Sequence, residues 1–251
     1  MIRHIKLWIE YDGTHFAGWQ TQPQKRTVQE TLEKILSQIT QEKIHVIGAS
    51  RTDAGVHALG QVANFETRSP PSCEKLLVAL NGLLPEDISI LKVQEVSSGF
   101  HANKKAKRKT YEYLIWNSRV RSALLKDRAW HLWMPLHLKD MRLAAKYLIG
   151  KHDFSAFRGS NSRTRTSVRI IEKITIYRKK TSQNSLIQIQ ITGNGFLKYM
   201  VRNIVGTLAQ AGKKKLTPED VKRILQSKDR RKAAMAAPAC GLYLKGIRYS
   251  A

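Results

Sequence analysis

Residues 2–10, IRHIKLWIE, alternate apolar and polar side chains with the period of a strand that buries one face, and no other feature of the chain restricts its fold as much. A strand of this kind needs a layer to cover its apolar side. The loop YDGTHFAGWQTQPQ leads to Thr27, with Glu30 three residues on at capping-box spacing, and Val28, Leu32, Ile35 and Ile39 then recur at helical intervals. IHVIGAS and QVANFET read as two strands joined by the loop RTDAGVHALG. Residues 73–84 return to helix and 88–96 to strand. The order strand, helix, strand, strand, helix, strand predicts helices laid on a sheet.

A basic stretch, NKKAKRK at 103–109, separates this half from RKTYEYLIWNS, whose aromatic and β-branched residues predict a new strand. The second half continues with a helix at about 138–149 closed by Gly150, and a hairpin of RIIEKITIYRKK and SLIQIQITG around a polar turn. A long helix spans about 196–211. Thr217-Pro218-Glu219-Asp220 opens another, and GLYLKGIRYS supplies a closing strand. The expectation is an α+β fold of antiparallel or mixed sheet with helices packed on one face, in two domains, 1–103 and 104–251.

Charge narrows the partner. Against 19 Asp and Glu stand 44 Lys and Arg, leaving +25, a field that draws in polyanions, so nucleic acid leads over acidic membrane. No apolar run approaches the ~20 residues of a membrane span, and the N-terminus has no apolar signal region, so a cytoplasmic protein with no membrane association is expected. Cys73 and Cys240 stand alone, which argues against a disulfide framework or a zinc site. The spacing of Gly206, Gly212 and Lys213 is wrong for a phosphate-binding loop. Gly193-Asn194-Gly195 lacks the third glycine of a dinucleotide fingerprint, and neither G-x-S-x-G nor H-E-x-x-H occurs.

Three segments offer chemistry. In GASRTDAGVHALGQ, Asp53 sits two residues after Arg51 and beside glycines that permit a sharp turn, although most loop aspartates only cap turns. His57 there is more naturally a packed or backbone-bonded histidine than an acid or base. In GNGFLKYMVRNIVGTLAQAG, Phe196, Val201, Ile204, Val205 and Leu208 favour one side, while Lys198 and Arg202 lie four apart, either a solvated basic face or a partner for a carboxylate. Tyr111 and Tyr113 alternate on one strand and share a face, as core or as a platform for a base. The cations Lys104, Lys105, Lys107, Arg108 and Lys109, with Arg158, Arg163, Arg165 and Arg169, are spread widely enough to track a phosphate backbone.

Taken in order, YDGTHFAGWQ, SRTDAGVHALGQ, FHANKKAKRKTYEY, GKHDFSAF, GFLKYMVRNIVG and PACGLYLKGIRY resemble the motifs of the bacterial tRNA pseudouridine synthase A family. One departure is Ser50, where the family usually has glycine. The resemblance implies a cofactor-free isomerase acting on uridines 38, 39 and 40 of the tRNA anticodon stem-loop. It also implies a homodimer whose two α+β domains adjoin across a basic cleft. Asp53 matches the family nucleophile, Arg202 the cation paired with it, Tyr111 the aromatic on the target base, and Arg51 the residue that helps displace the uridine. Such chemistry needs an ionised carboxylate that adds to ribose C1′ or to uracil C6; the residues leave both routes open. A paired uridine must first be extruded, and binding should weaken steeply as salt rises. Competing with this are a non-catalytic RNA-binding module, which has no use for Asp53, and an N-glycosidase, which discards the base.

Overall fold

The computed structural model describes residues 2–68, 71–160, 164, 166–179 and 185–250. Ten strands and five α-helices are found among them, an α+β fold as the alternating patterns imply. The chain packs as two compact units, one of residues 1–107 with 243–251 and one of residues 108–242.

In the first unit β1 (Arg3–Tyr11) pairs antiparallel with β3 (His57–Thr67) on one side and β4 (Ile88–Val96) on the other. The short β2 (Ile47–Gly48) also pairs with β3. The closing strand β10 (Leu242–Tyr249) meets β3 in parallel, Tyr243 opposite His57. The alternation in β1 is obeyed: Ile5, Leu7 and Ile9 are fully buried, as are Leu32 and Leu36 of α1 (Val28–Thr40) and Leu80 of α2 (Cys73–Leu83). On the opposite face Trp8 joins a smaller cluster with Ala49, Val62, Ala102, Phe100 and Tyr249.

Two local expectations change here. Thr27 is the N-cap of α1, but no capping box forms. The carbonyls of Gly18 and Trp19 take the Val28 and Gln29 N–H groups at 3.2 and 2.9 Å, so the preceding loop replaces the cap side chain. IHVIGAS pairs only over Ile47–Gly48. The Ile44 N–H goes to Ser37 Oγ at 3.1 Å and the Val46 N–H to Glu33 Oε1 at 2.9 Å, so α1 side chains take donors a ladder would have used.

The second unit holds β5 (Ala106–Asn117), flanked by β6 (Trp130–Leu132) in parallel and β9 (Leu186–Gly193) antiparallel. The expected hairpin is β8 (Val168–Lys179) with β9, and β7 (Gly150–Asp153) extends the sheet beyond β8. Its turn, 180–184, lies outside the described residues, as do Arg163 and Arg165. Three helices, α3 (Leu138–Lys146), α4 (Met200–Gly212) and α5 (Pro218–Ser227), pack on one another, and Arg142 Nε donates to Ile176 O of β8 at 2.7 Å. Where Thr27 and Glu30 form no capping box, Thr217 and Asp220 at the start of α5 form a complete one.

The long helix starts later than expected, at Met200, because Tyr199 takes a left-handed conformation, φ 60° and ψ 0°. Lys198 therefore precedes α4 and shares no helical face with Arg202. Nor is the helix one-sided: eleven of its thirteen residues, including Asn203 and Thr207, are buried. Among the described residues no helix is long and apolar enough to cross a membrane.

Candidate active site

Asp53 lies in a tight turn. Its carbonyl accepts the Val56 N–H at 3.2 Å and Gly55 carries φ +75°, the positive value such a turn requires at its third position. The loop is shorter than RTDAGVHALG suggests. His57 already begins β3, drawn into the sheet by register pairing of Tyr11 with Ala58 and Tyr243 with His57. Within it Arg51 is exposed, Thr52 buried and Asp53 half-buried.

What shapes this turn is the segment YDGTHFAGWQ. The Trp19 N–H donates to Thr52 O at 3.1 Å, the Gly55 N–H to Phe16 O at 3.2 Å, and the Tyr11 hydroxyl lies 2.8 Å from Thr52 Oγ1. The fit is too close for side chains at two positions. A Cβ on Gly13 would stand 2.0 Å from Val56 O, and one on Gly18, where φ is +103°, 2.6 Å from Thr52 O. Ser50 sits at the entry to the turn, its backbone clasped by the Gln61 amide, which accepts from Ser50 N at 3.3 Å and donates to Ser50 O at 2.6 Å. The hydroxymethyl group is thus carried without loosening the loop.

His57 is not presented to a substrate. It is 2 % exposed, stacks on Tyr243 with ring centroids 4.7 Å apart, accepts the Gly13 N–H at Nδ1, and has Asp12 Oδ1 2.9 Å away. It packs and binds backbone, as a histidine next to a turn commonly does.

The second unit carries Arg202 and Tyr111. The Arg202 guanidinium donates from Nε to Ala237 O at 2.7 Å and lies 4.7 Å over the Tyr199 ring, which the Lys198 ammonium also approaches at 5.4 Å. A left-handed tyrosine thus brings together two cations whose sequence spacing suggested a common helical face. Arg202 lines a cavity of about 490 Å³ with Gly159, Tyr199, Asn203, Arg230 and Arg231. Asn203, almost fully buried, donates to Phe157 O at 2.7 Å and accepts from Arg230 at 2.9 Å, which fixes a second guanidinium in that wall.

Tyr111 is 6 % exposed and meets Phe196 edge to face, centroids 5.2 Å apart. Tyr113, on the same face of β5, is wholly core: its ring is fully buried and its hydroxyl donates to Pro238 O at 2.7 Å, and burial pushes the phenol well above its ordinary value. The two tyrosines that looked alike in sequence are therefore different. Nothing in the sequence pointed to Tyr199 or Asn203 beyond their place in GFLKYMVRNIVG, and nothing at all to Arg230.

The remaining cations divide by environment. Lys104, Lys105, Lys107 and Arg108 are exposed, Arg108 pairing with Glu172 at 2.7 Å. Lys109 is half-buried, and burial together with the Arg169 guanidinium lowers its ammonium to about 8. Both cysteines are free thiols, and among the described residues no three of His, Cys, Asp and Glu converge as a metal site.

Comparison with known proteins gives a concordant result. A family model described as tRNA pseudouridine synthase matches residues 7–103 and 144–250. A tRNA pseudouridine synthase A of Acetivibrio thermocellus is 48% identical over 248 residues, covering 99% of this chain and 100% of that protein. One of Thermoanaerobacter sp. is 46% identical with the same coverage, and a tRNA pseudouridine synthase A 2 of Clostridium tetani is 46% identical over the full length of both chains.

Proposed function

Since the chain belongs to the tRNA pseudouridine synthase family and isomerises uridine in tRNA, we propose that Asp53 is its nucleophile and that its targets are uridines 38, 39 and 40 of the anticodon stem-loop. In this isomerisation the bond from ribose C1′ to uracil N1 breaks, C1′ rejoins the base through C5, the C5 proton leaves and N1 gains one. Composition is unchanged, so no co-substrate is consumed. The detached base must be kept from solvent between the two steps.

An ionised carboxylate serves whether it adds to C1′ or to C6 of the ring. The observation that carries the assignment is the fixed turn around Asp53: the carbonyls on either side of its Cα are hydrogen-bonded, by Trp19 N–H and Val56 N–H. That is the rigidity a positioned nucleophile needs. In our reading Arg202 holds the carboxylate ionised, since an adjacent guanidinium lowers a carboxylate's pKa and fixes its orientation. Its own anchorage to Ala237 O and Tyr199 supports that role. Tyr111, braced against Phe196, retains the base by stacking, and the exposed Arg51 helps displace the uridine. The enzyme works as a homodimer in the cytoplasm, where the +25 charge gathers tRNA.

Asp53→Asn tests this. The variant should bind tRNA and release no tritium from C5-labelled uridine, whereas release equal to the wild type's removes Asp53 from the chemistry. Mapping pseudouridine in treated tRNA reads out positions 38–40, and free uracil among the products would mark an N-glycosidase instead.

A further inference from the structure

We infer that the Tyr11 hydroxyl, through Thr52, is a positioning group for the isomerisation, setting the orientation in which Asp53 meets the uridine. The inference rests on the reading of Asp53 as nucleophile. Tyr11 is the last residue of β1, 3 % exposed, and its backbone is paired on both sides, with Ala58 of β3 and Ile88 of β4. It is thus as rigid a point as the sheet offers. From there its hydroxyl reaches across 41 residues of sequence to Thr52 Oγ1, 2.8 Å away, on the residue immediately before Asp53.

Thr52 is gripped twice more, since its carbonyl accepts from Trp19 N–H and its side chain is buried at 7 % exposure. Trp19 in turn packs 6.2 Å from the Tyr11 ring, so both contacts on Thr52 come from one aromatic pair. With the Thr52 side chain and carbonyl both fixed, the peptide plane entering Asp53 has no rotation left. The plane leaving it is held by the Val56 N–H on Asp53 O, and the next one by the Gly55 N–H on Phe16 O. A buried phenol and hydroxyl need a partner in any case. What singles out this pair is that it ties the sheet to the residue adjoining the nucleophile, where a shift of about 1 Å can cost about 100-fold in rate.

The test separates positioning from folding. In the full-length enzyme Tyr11→Phe and Thr52→Val should each lower single-turnover rate and kcat by about 10- to 100-fold and leave KM for tRNA within about twofold. Thr52→Ser, which keeps the hydroxyl, should stay within about threefold of wild type. The double variant should be no slower than either single one, as two halves of one contact require. A folded Tyr11→Phe enzyme with unchanged kcat overturns the inference, as does a double variant whose losses multiply. Should Tyr11→Phe fail to fold, equal rates for Thr52→Ser and Thr52→Val overturn it and a rescue by serine alone supports it. Asp53→Asn run alongside distinguishes the two levels: activity there defeats the nucleophile assignment itself, whereas inactivity there with a fully active Tyr11→Phe defeats only the positioning role.

Discussion

His57 Nδ1 accepts the Gly13 N–H at 3.1 Å and stands 2.9 Å from Asp12 Oδ1, so the histidine four residues after Asp53 faces the loop that precedes α1. Asp12 Oδ1 also accepts from Thr14 N at 3.1 Å and from Thr14 Oγ1 at 2.7 Å. The buried imidazole therefore links the two loops that meet around Asp53. Its geometry assigns it to packing and backbone binding rather than to proton transfer.

His57→Ala should lose stability by about 1–3 kcal/mol, the usual cost of leaving buried polar groups without a partner, with the lost stacking on Tyr243 adding to it. Denaturant unfolding measures that loss. The pH–rate profile of the folded variant should keep the shape of the wild type's. Disappearance of one limb would show that His57 carries a proton in the reaction.

Close backbone approach makes Gly18 sensitive to substitution. Gly18→Ala places a Cβ 2.6 Å from Thr52 O and 3.1 Å from the Asp53 carbonyl carbon, at a φ of +103° that side chains rarely adopt. Neither atom belongs to a flexible side chain, so the turn itself has to move. The expected result is a kcat loss of at least about 10-fold. Gly82→Ala is the control: it meets nothing within 4 Å, and within α2 it should stabilise by about 0.5–1 kcal/mol.

Two helix starts explain how much of the structure the sequence disclosed. Thr217-Pro218-Glu219-Asp220 opens α5 as its local signals imply, and there Thr217 and Asp220 need only each other to close a capping box. Thr27 and Glu30 have the same spacing, but the outcome there was settled by Gly18 and Trp19 carbonyls presented by a folded loop, a tertiary fact. The site divides in the same way. Asp53 and its turn were legible because Gly55 and the turn chemistry are local. The groups that hold that turn, the Tyr11 hydroxyl and the Trp19 N–H, are more than thirty residues away, and their residues stood out only as members of a motif. Tyr199 was hidden for another reason: a tyrosine in left-handed conformation breaks no pattern, so the helical periodicity ran on through Phe196 and Lys198 to a start four residues too early.

Thr217→Ala removes the hydroxyl that accepts the Asp220 N–H at 3.1 Å and donates to Asp220 Oδ2 at 2.8 Å. A loss of about 0.5–2 kcal/mol is expected, seen as a fall in Tm of a few degrees, because about 2–4 °C accompanies each kcal/mol in a chain of this size. Thr217→Ser should melt like the wild type. Since α5 lies outside both loops around Asp53, kcat should be unchanged at temperatures where the variant is folded.

Lys109 gives the protein a signed dependence on pH. Burial and the neighbouring Arg169 lower its ammonium to about 8, against an ordinary value of 10.5 in the unfolded chain. Between those two values the unfolded state binds more protons than the native one, so this group's contribution to stability rises with pH across the window. Below about 8 both states are protonated, and the native state bears the full cost of a partly buried charge. Lys109→Met removes that cost at every pH. The variant should therefore exceed the wild type in unfolding free energy most clearly at about pH 7, and the gap should narrow through about pH 8, 9 and 10 as the wild-type amine becomes neutral. Denaturant titrations of the two proteins at those four values measure it, and a gap that stays constant across them would show that Lys109 keeps an ordinary ammonium in the folded protein.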